Sequence, residues 1–123
     1  MSRARTFGVY SDLEMLKKNN RALGANLNNA IGIGDDDVLN EGGLRFSDEF
    51  VKHKILDFIG DIYLLGYSVK GAFEIYKGGH RLTHETMNSI MSDQSNWRLI
   101  IEDNLNDKNY QITYYTKSVA ASL

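Results

Sequence analysis

Between positions 47 and 65 the apolar residues Val51, Ile55, Phe58, Ile62 and Leu65 recur at helical spacing, and Leu56, Ile59 and Tyr63 widen their face. The spacing predicts one helix, largely apolar around its circumference and therefore set in the middle of a domain. Ser47 is placed to cap its first turn, Asp48 and Glu49 put negative charge where the helix dipole favours it, and Gly66 stops it.

Around this helix the pattern changes period. Thr6-Phe7-Gly8-Val9-Tyr10 is a short β-like run. Ser11 to Lys18 predicts a short helix, with Ser11 as cap, Glu14 completing a capping box and lysines in the last turn. A flexible connection at 23–27 leads to a strand at 29–33, broken by Gly34 and the acidic turn 35–37, and residues 38–40 suggest another short strand. Residues 68–76 alternate loosely and read as a strand. Gly78-Gly79-His80 makes a corner, and a second helix follows, capped by Thr83, with Met87, Ile90 and Met91 on its buried side. Residues 97–101 form a closing strand. From Glu102 the composition turns polar; 110–115 suggest one more strand, but 102–123 as a whole read as a tail of unassigned structure. Strands with two helices covering one sheet face give an α+β fold: a two-layer sandwich with a mixed sheet.

Composition narrows the function classes. A chain of 123 residues suits one domain with a modest core. The net charge of −2 offers no basic field for nucleic acid. Without cysteine there are no disulfides, thiolate zinc sites or thiol catalysis, which fits a reducing compartment. No apolar run spans a bilayer and the polar start lacks a signal-peptide core, so the cytoplasm is the expected location. Proline is absent, so turns rely on Gly, Asn and Asp.

One polar ridge interrupts the long helix. His53, Asp57 and Asp61 follow one another every four residues and stack on one face. A His and an Asp one turn apart can reach a single metal ion, and zinc accepts both donor types. A third ligand would have to be His80, His84 or another carboxylate. The same spacing equally describes an ordinary hydrogen-bonded ridge, and Asp61 near the helix end could simply face water. His80, at a glycine corner, is placed to be presented to a cleft, with Asp61 as its carboxylate if helix and corner meet. His84, in the first turn of a helix where positive charge is disfavoured, reads as surface. Lys54 beside the ridge could meet an anion or solvent. Gly32 and Gly34 do not form a phosphate loop.

The residues carry more than their spacing. Leu39-Asn40-Glu41-x-Gly43-Leu44-Arg45-Phe46-x-Asp48-Glu49-Phe50-Val51-Lys52-His53-Lys54-x-Leu56-Asp57-x-Ile59-Gly60-Asp61 closely resembles the signature of bacterial UDP-3-O-acyl-N-acetylglucosamine deacetylase, the zinc amidase of lipid A biosynthesis. The resemblance extends over Ala4-Arg5-Thr6-Phe7-Gly8 and over Gly71-Ala72-Phe73-x-x-Tyr76-Lys77-x-Gly79-His80, covering roughly residues 4–101. It implies zinc as cofactor and His53 and Asp57 as two of three protein ligands. It implies that His80 is the cationic acid that stabilises the oxyanion and protonates the leaving amine, with Asp61 orienting and charging it. Lys54 would meet nucleotide phosphates or developing charge, Thr6 would help bind the oxyanion, and Phe7 would pack against substrate. A small inserted β-α-β unit, about 9–36, would line the acyl-chain passage with Leu23, Leu27, Ala30 and Ile33.

The resemblance also marks departures. The family's third zinc ligand, a His, and its general base, a Glu, belong to a first domain that nothing here matches; Val9 stands where an aromatic is common. Residues 1–101 are therefore expected to be the C-terminal part of the second domain, in a fragment, split polypeptide or decayed gene product that lacks activity alone. The substrate implied is UDP-3-O-acyl-N-acetylglucosamine. The competing expectation is a non-catalytic remnant or assembly module that needs a partner chain to complete its sheet and site.

Overall fold

In a computed structural model the described residues are 1–101 and the backbone of the strand at 112–116, and the chain divides into two units, Met1–Leu56 and Asp57–Leu123. The architecture is α+β, as expected from the sequence.

In the first unit β1 (Thr6–Val9) runs directly into α1 (Tyr10–Lys18), and β2 (Ala30–Ile33) returns parallel to β1, with Thr6 opposite Ala30 and Val9 opposite Ile33. Parallel neighbours need a crossover, and α1 provides it. Ile31, on the inner face of β2, is almost completely buried. Ser11 does not cap α1. Val9 is the extended residue before the helix, with φ −65° and ψ 129°, and no side chain caps it. Because strand passes straight into helix, Ser11 already lies within the first turn, where its backbone is helical. The expected strand at 38–40 shrinks to a single bridge residue. Val38 makes one antiparallel bridge to Ile33, Gly34 N–H donates to Asp37 O at 2.8 Å and Leu39 N–H to Gly32 O at 2.9 Å.

Asn40 closes this loop from inside. Its buried amide donates to Leu27 O at 2.7 Å and Ala30 O at 2.8 Å, while its side-chain oxygen accepts from Gly32 N–H at 3.0 Å. One side chain thus satisfies three backbone groups beside β2 that burial would otherwise orphan.

The long helix, α2 (Glu49–Tyr63), begins after Asp48, whose carbonyl accepts Lys52 N–H at 3.0 Å, rather than at a Ser47 cap. It is not enclosed in a core. Val51, Ile55, Ile59 and Tyr63 form an exposed apolar stripe, from 42% exposed at Ile55 to 82% at Tyr63, and Glu49 is the only fully buried residue of the helix. Periodicity identifies which residues are apolar but not what covers them.

In the second unit α2 unwinds through a tightened turn, with Leu64, Leu65 and Gly66 N–H bonding the carbonyls three residues back. Gly66 then takes φ +74°, the left-handed value that suits glycine. β3 (Ser68–Lys70) is shorter than the expected 68–76 strand; beyond it Phe73 turns edge-on to Phe58, with ring centroids 5.1 Å apart. α3 (His80–Ser92) starts after Gly79, so Thr83 lies in its first turn and donates its hydroxyl to Gly79 O at 3.1 Å instead of capping. A single 3-10 turn (Gln94–Asn96), capped by the Asp93 carboxylate on Ser95 N–H, leads into β4 (Trp97–Ile101). β5 (Ile112–Thr116) lies between β3 and β4, parallel to the first and antiparallel to the second, giving a mixed sheet. Thr83, Met87 and Ile90, spaced at helical intervals, are the buried face of α3. Met87 and Ile90 line an apolar recess with Leu65, Val69 and Trp97. The rest of the residues expected to form the tail lie outside the described ones. No helix among the described residues is long and apolar enough to cross a membrane.

Candidate active site

Two polar centres stand on α2. The first, around His53, is built from a fully buried glutamate. Glu49 Oε1 accepts from Arg5 N–H at 3.0 Å and Arg5 Nε at 2.9 Å; Oε2 accepts from an Arg5 terminal nitrogen at 3.1 Å and from Arg45 N–H at 2.6 Å. The Arg5 guanidinium also donates to Gly43 O at 2.8 Å. A buried carboxylate is tolerable only when its lone pairs are met in this way. The Arg5 side chain, with the Arg5 and Arg45 amides, outweighs burial and holds the Glu49 carboxyl at about 2, against an ordinary 4.5, and the same pairing raises Arg5. This clamp ties the start of β1 and the 43–45 loop to the first turn of α2. It is the feature that sequence reasoning missed, because Glu49 near a helix start reads as a dipole charge.

One turn after Glu49, His53 Nδ1 lies 3.3 Å from Ala4 O. A carbonyl can only accept, so in this contact Nδ1 carries the hydrogen. Phe7 meets the Phe50 ring edge-on at 4.8 Å and the His53 ring at 6.2 Å, and Lys54 Nζ lies 5.6 Å from the Phe7 centroid. Phe7, His53 and Lys54 are thus brought together. Thr6, next along β1, is exposed. Asp48, also exposed, pairs with Lys52 at 2.8 Å, which lowers its carboxyl.

Of the expected acyl-passage residues, Ala30 and Ile33 occupy the two ends of β2 and are half-buried. Leu27 closes over the middle of the strand. A Cβ on Gly32 would lie 2.8 Å from Leu27 Cδ2 and 3.2 Å from Tyr10 Cδ2, so the glycine makes room for both side chains. Leu23 is 66% exposed in the loop between α1 and β2.

The second centre is Asp61, on the last turns of α2. Its carboxylate is 10% exposed, and both oxygens lie 2.9 Å from His80 Nδ1 on α3. Helix and corner do meet. The carboxylate accepts, so His80, 65% exposed, also holds its hydrogen at Nδ1 and presents Nε2. His84, expected to be plain surface, turns its Nε2 to within 3.4 Å of Asp61 Oδ1 from one turn further along α3.

His53 and Asp57 follow one another by one turn on α2, and imidazole and carboxylate are both donor types that zinc accepts. No group of three or more His, Cys, Asp or Glu among the described residues is arranged to hold a metal ion.

Comparison with known proteins identifies the family. The family model described as "LpxC: UDP-3-O-acyl N-acetylglycosamine deacetylase" matches residues 1–92. The protein named UDP-3-O-acyl-N-acetylglucosamine deacetylase of Acinetobacter baumannii (strain AYE) is 52% identical over 107 residues, covering 87% of this chain and 36% of the relative. The protein of the same name from Ruthia magnifica is 45% identical over 123 residues, covering all of this chain and 40% of the relative. That from Nitrosococcus oceani is 52% identical over 100 residues, covering 81% and 33%. The chain spans between a third and two fifths of the length of these relatives. It belongs to the UDP-3-O-acyl N-acetylglycosamine deacetylase family.

Proposed function

We propose that this chain supplies one side of a zinc-dependent amidase site that removes the N-acetyl group from UDP-3-O-acyl-N-acetylglucosamine and releases acetate, in cytoplasmic lipid A biosynthesis. The Asp61–His80 pair, with Asp61 on the helix whose sequence also carries His53 and Asp57, is the observation that carries the proposal. His53 and Asp57 would hold the metal together with a His from a first domain outside this chain, which would also bring a Glu as base. Zinc, when bound, supplies a Lewis acid that brings the pKa of its water toward ~7.

The chain's own residues do the rest. Asp61 fixes the His80 ring and balances positive charge on it, so Nε2 can hold a proton for the leaving amine and face the developing oxyanion. Thr6 offers a hydroxyl to the same oxyanion. Lys54, held over the Phe7 face, brings positive charge toward the nucleotide phosphates, and Phe7 forms a wall beside the substrate. Leu23, Leu27, Ala30 and Ile33 line the acyl passage within an inserted unit of about residues 9–36. Residues 1–101 are the C-terminal part of the second domain in this proposal, with 102–123 as a tail.

The test is a chimera in which this chain replaces its matching stretch of the Ruthia magnifica relative. Deacetylation that needs zinc, and a kcat that falls by about 10²–10⁴ in the His80→Ala chimera, are expected. A folded chimera indifferent to His80 would contradict the assignment. The purified chain by itself is expected to show no turnover; turnover lost in His53→Ala would contradict that.

The exposed stripe Val51, Ile55, Ile59 and Tyr63 favours a second reading, a non-catalytic assembly module that works only against a partner polypeptide. Sedimentation distinguishes the two: self-association or aggregation of the purified chain supports the module, and a compact monomer with a cooperative melt opposes it.

A further inference from the structure

The peptide unit between Ala4 and Arg5 is gripped at both ends by α2. Its N–H donates to Glu49 Oε1 at 3.0 Å and its C=O lies 3.3 Å from His53 Nδ1. The two helix residues are four positions apart, one turn or ~5.4 Å along the axis, so they can engage the opposed donor and acceptor of a single trans peptide. We infer that Glu49 and Arg5 are positioning residues for His53, holding the Ala4 carbonyl on Nδ1 so that the neutral imidazole keeps its hydrogen on that nitrogen.

Rotation of this peptide would break both contacts at once. It is opposed further by the Arg5 guanidinium, which bonds both Glu49 oxygens and Gly43 O, and by Arg45 N–H on Glu49 Oε2. The Glu49 carboxyl stays ionised down to about 2, so its acceptor role persists wherever the protein folds. Ala4, Arg5 and Glu49 are all buried, so water does not compete readily for these groups. A neutral carbonyl selects the tautomer without placing a charge on the ring, and only the lone-pair nitrogen can ligate a metal. His80 obtains the same tautomer from a carboxylate. The inference rests on the zinc proposal for its functional meaning, but its geometry stands apart from it.

The experiment is a two-bond proton–nitrogen correlation on the full metal-free chain with ¹⁵N-labelled histidine, at a pH where imidazoles are neutral. Resonances are assigned with single histidine variants. The wild-type chain should show His53 with its hydrogen on Nδ1. In Glu49→Gln, which sets an amide NH₂ against the donors of Arg5 and Arg45, His53 should shift toward Nε2–H while His80 keeps Nδ1–H. Apparent zinc affinity should fall about 10- to 100-fold, and Glu49→Asp should recover part of both losses. A wild-type His53 with its hydrogen on Nε2, or an unchanged tautomer in Glu49→Gln, overturns the inference. If Glu49→Gln does not fold, the wild-type spectrum alone decides. Zinc binding unchanged in His53→Ala, with the tautomer as expected, would sink the zinc proposal and leave the positioning role intact.

Discussion

The two units of this chain hold their histidines by opposite means. In Met1–Leu56 the buried interior includes Arg5, Asn40 and Glu49, and His53 is oriented by a backbone carbonyl within that network. In Asp57–Leu123 the buried face of α3 is Thr83, Met87 and Ile90, and His80 is oriented by a carboxylate near the surface. The contrast suits the proposed roles: a metal ligand must keep a lone pair, which a neutral carbonyl preserves, and a general acid must carry a proton, which a carboxylate supports. The difference also divides the risks. A buried ion network fails abruptly when one member is lost, whereas an apolar face loses stability in increments.

The most direct way to break this contrast is Glu49→Ala. It strands the buried Arg5 charge and should destabilise the first unit by about 3–5 kcal/mol, read from denaturant unfolding. Ile90→Val in the second unit should cost only about 0.5–1.5 kcal/mol in the same measurement. Comparable losses would erase the distinction.

Acid sharpens it. The Glu49 carboxyl is held at about 2 against 4.5, a depressed value, so the folded state is favoured fully above 4.5 and loses that advantage as pH falls from 4.5 toward about 2. Chemical-shift probes near Phe7 should lose their native signals in that window, and Glu49→Gln should remove this contribution to the pH dependence. The smallest effect expected is that of Lys52→Ala, which breaks the exposed pair with Asp48 and should move the unfolding midpoint less than Ile90→Val does, and less again at high salt.

What the sequence made legible was local. The 3.6 period located α2 and the buried Met87 and Ile90 of α3, and Gly66 marked the helix end. What escaped it depended on distant partners. Glu49 is buried because Arg5, 44 residues earlier, meets it. His84 faces Asp61 only because α3 docks near the end of α2. β5 takes the middle of its sheet by pairing with β3, far earlier in the chain, as well as with its neighbour β4, while the run past Lys70 joins no strand among the described residues. Capping misled where strand flows into helix without an intervening residue, at Val9 and Tyr10. The exposed stripe of α2 shows the same limit, since an apolar pattern does not name its cover. At the candidate site, the His53, Asp57 and Asp61 ridge was readable from spacing, and the meeting of Asp61 with His80 was readable only as a condition.

The central claim is that His53 and Asp57 are two ligands of an incomplete zinc site, and calorimetric zinc titration of the purified chain tests it most directly. Weak, saturable binding in the wild type that disappears in both His53→Ala and Asp57→Ala is the predicted result. Curves for the variants that superimpose on the wild type would contradict it.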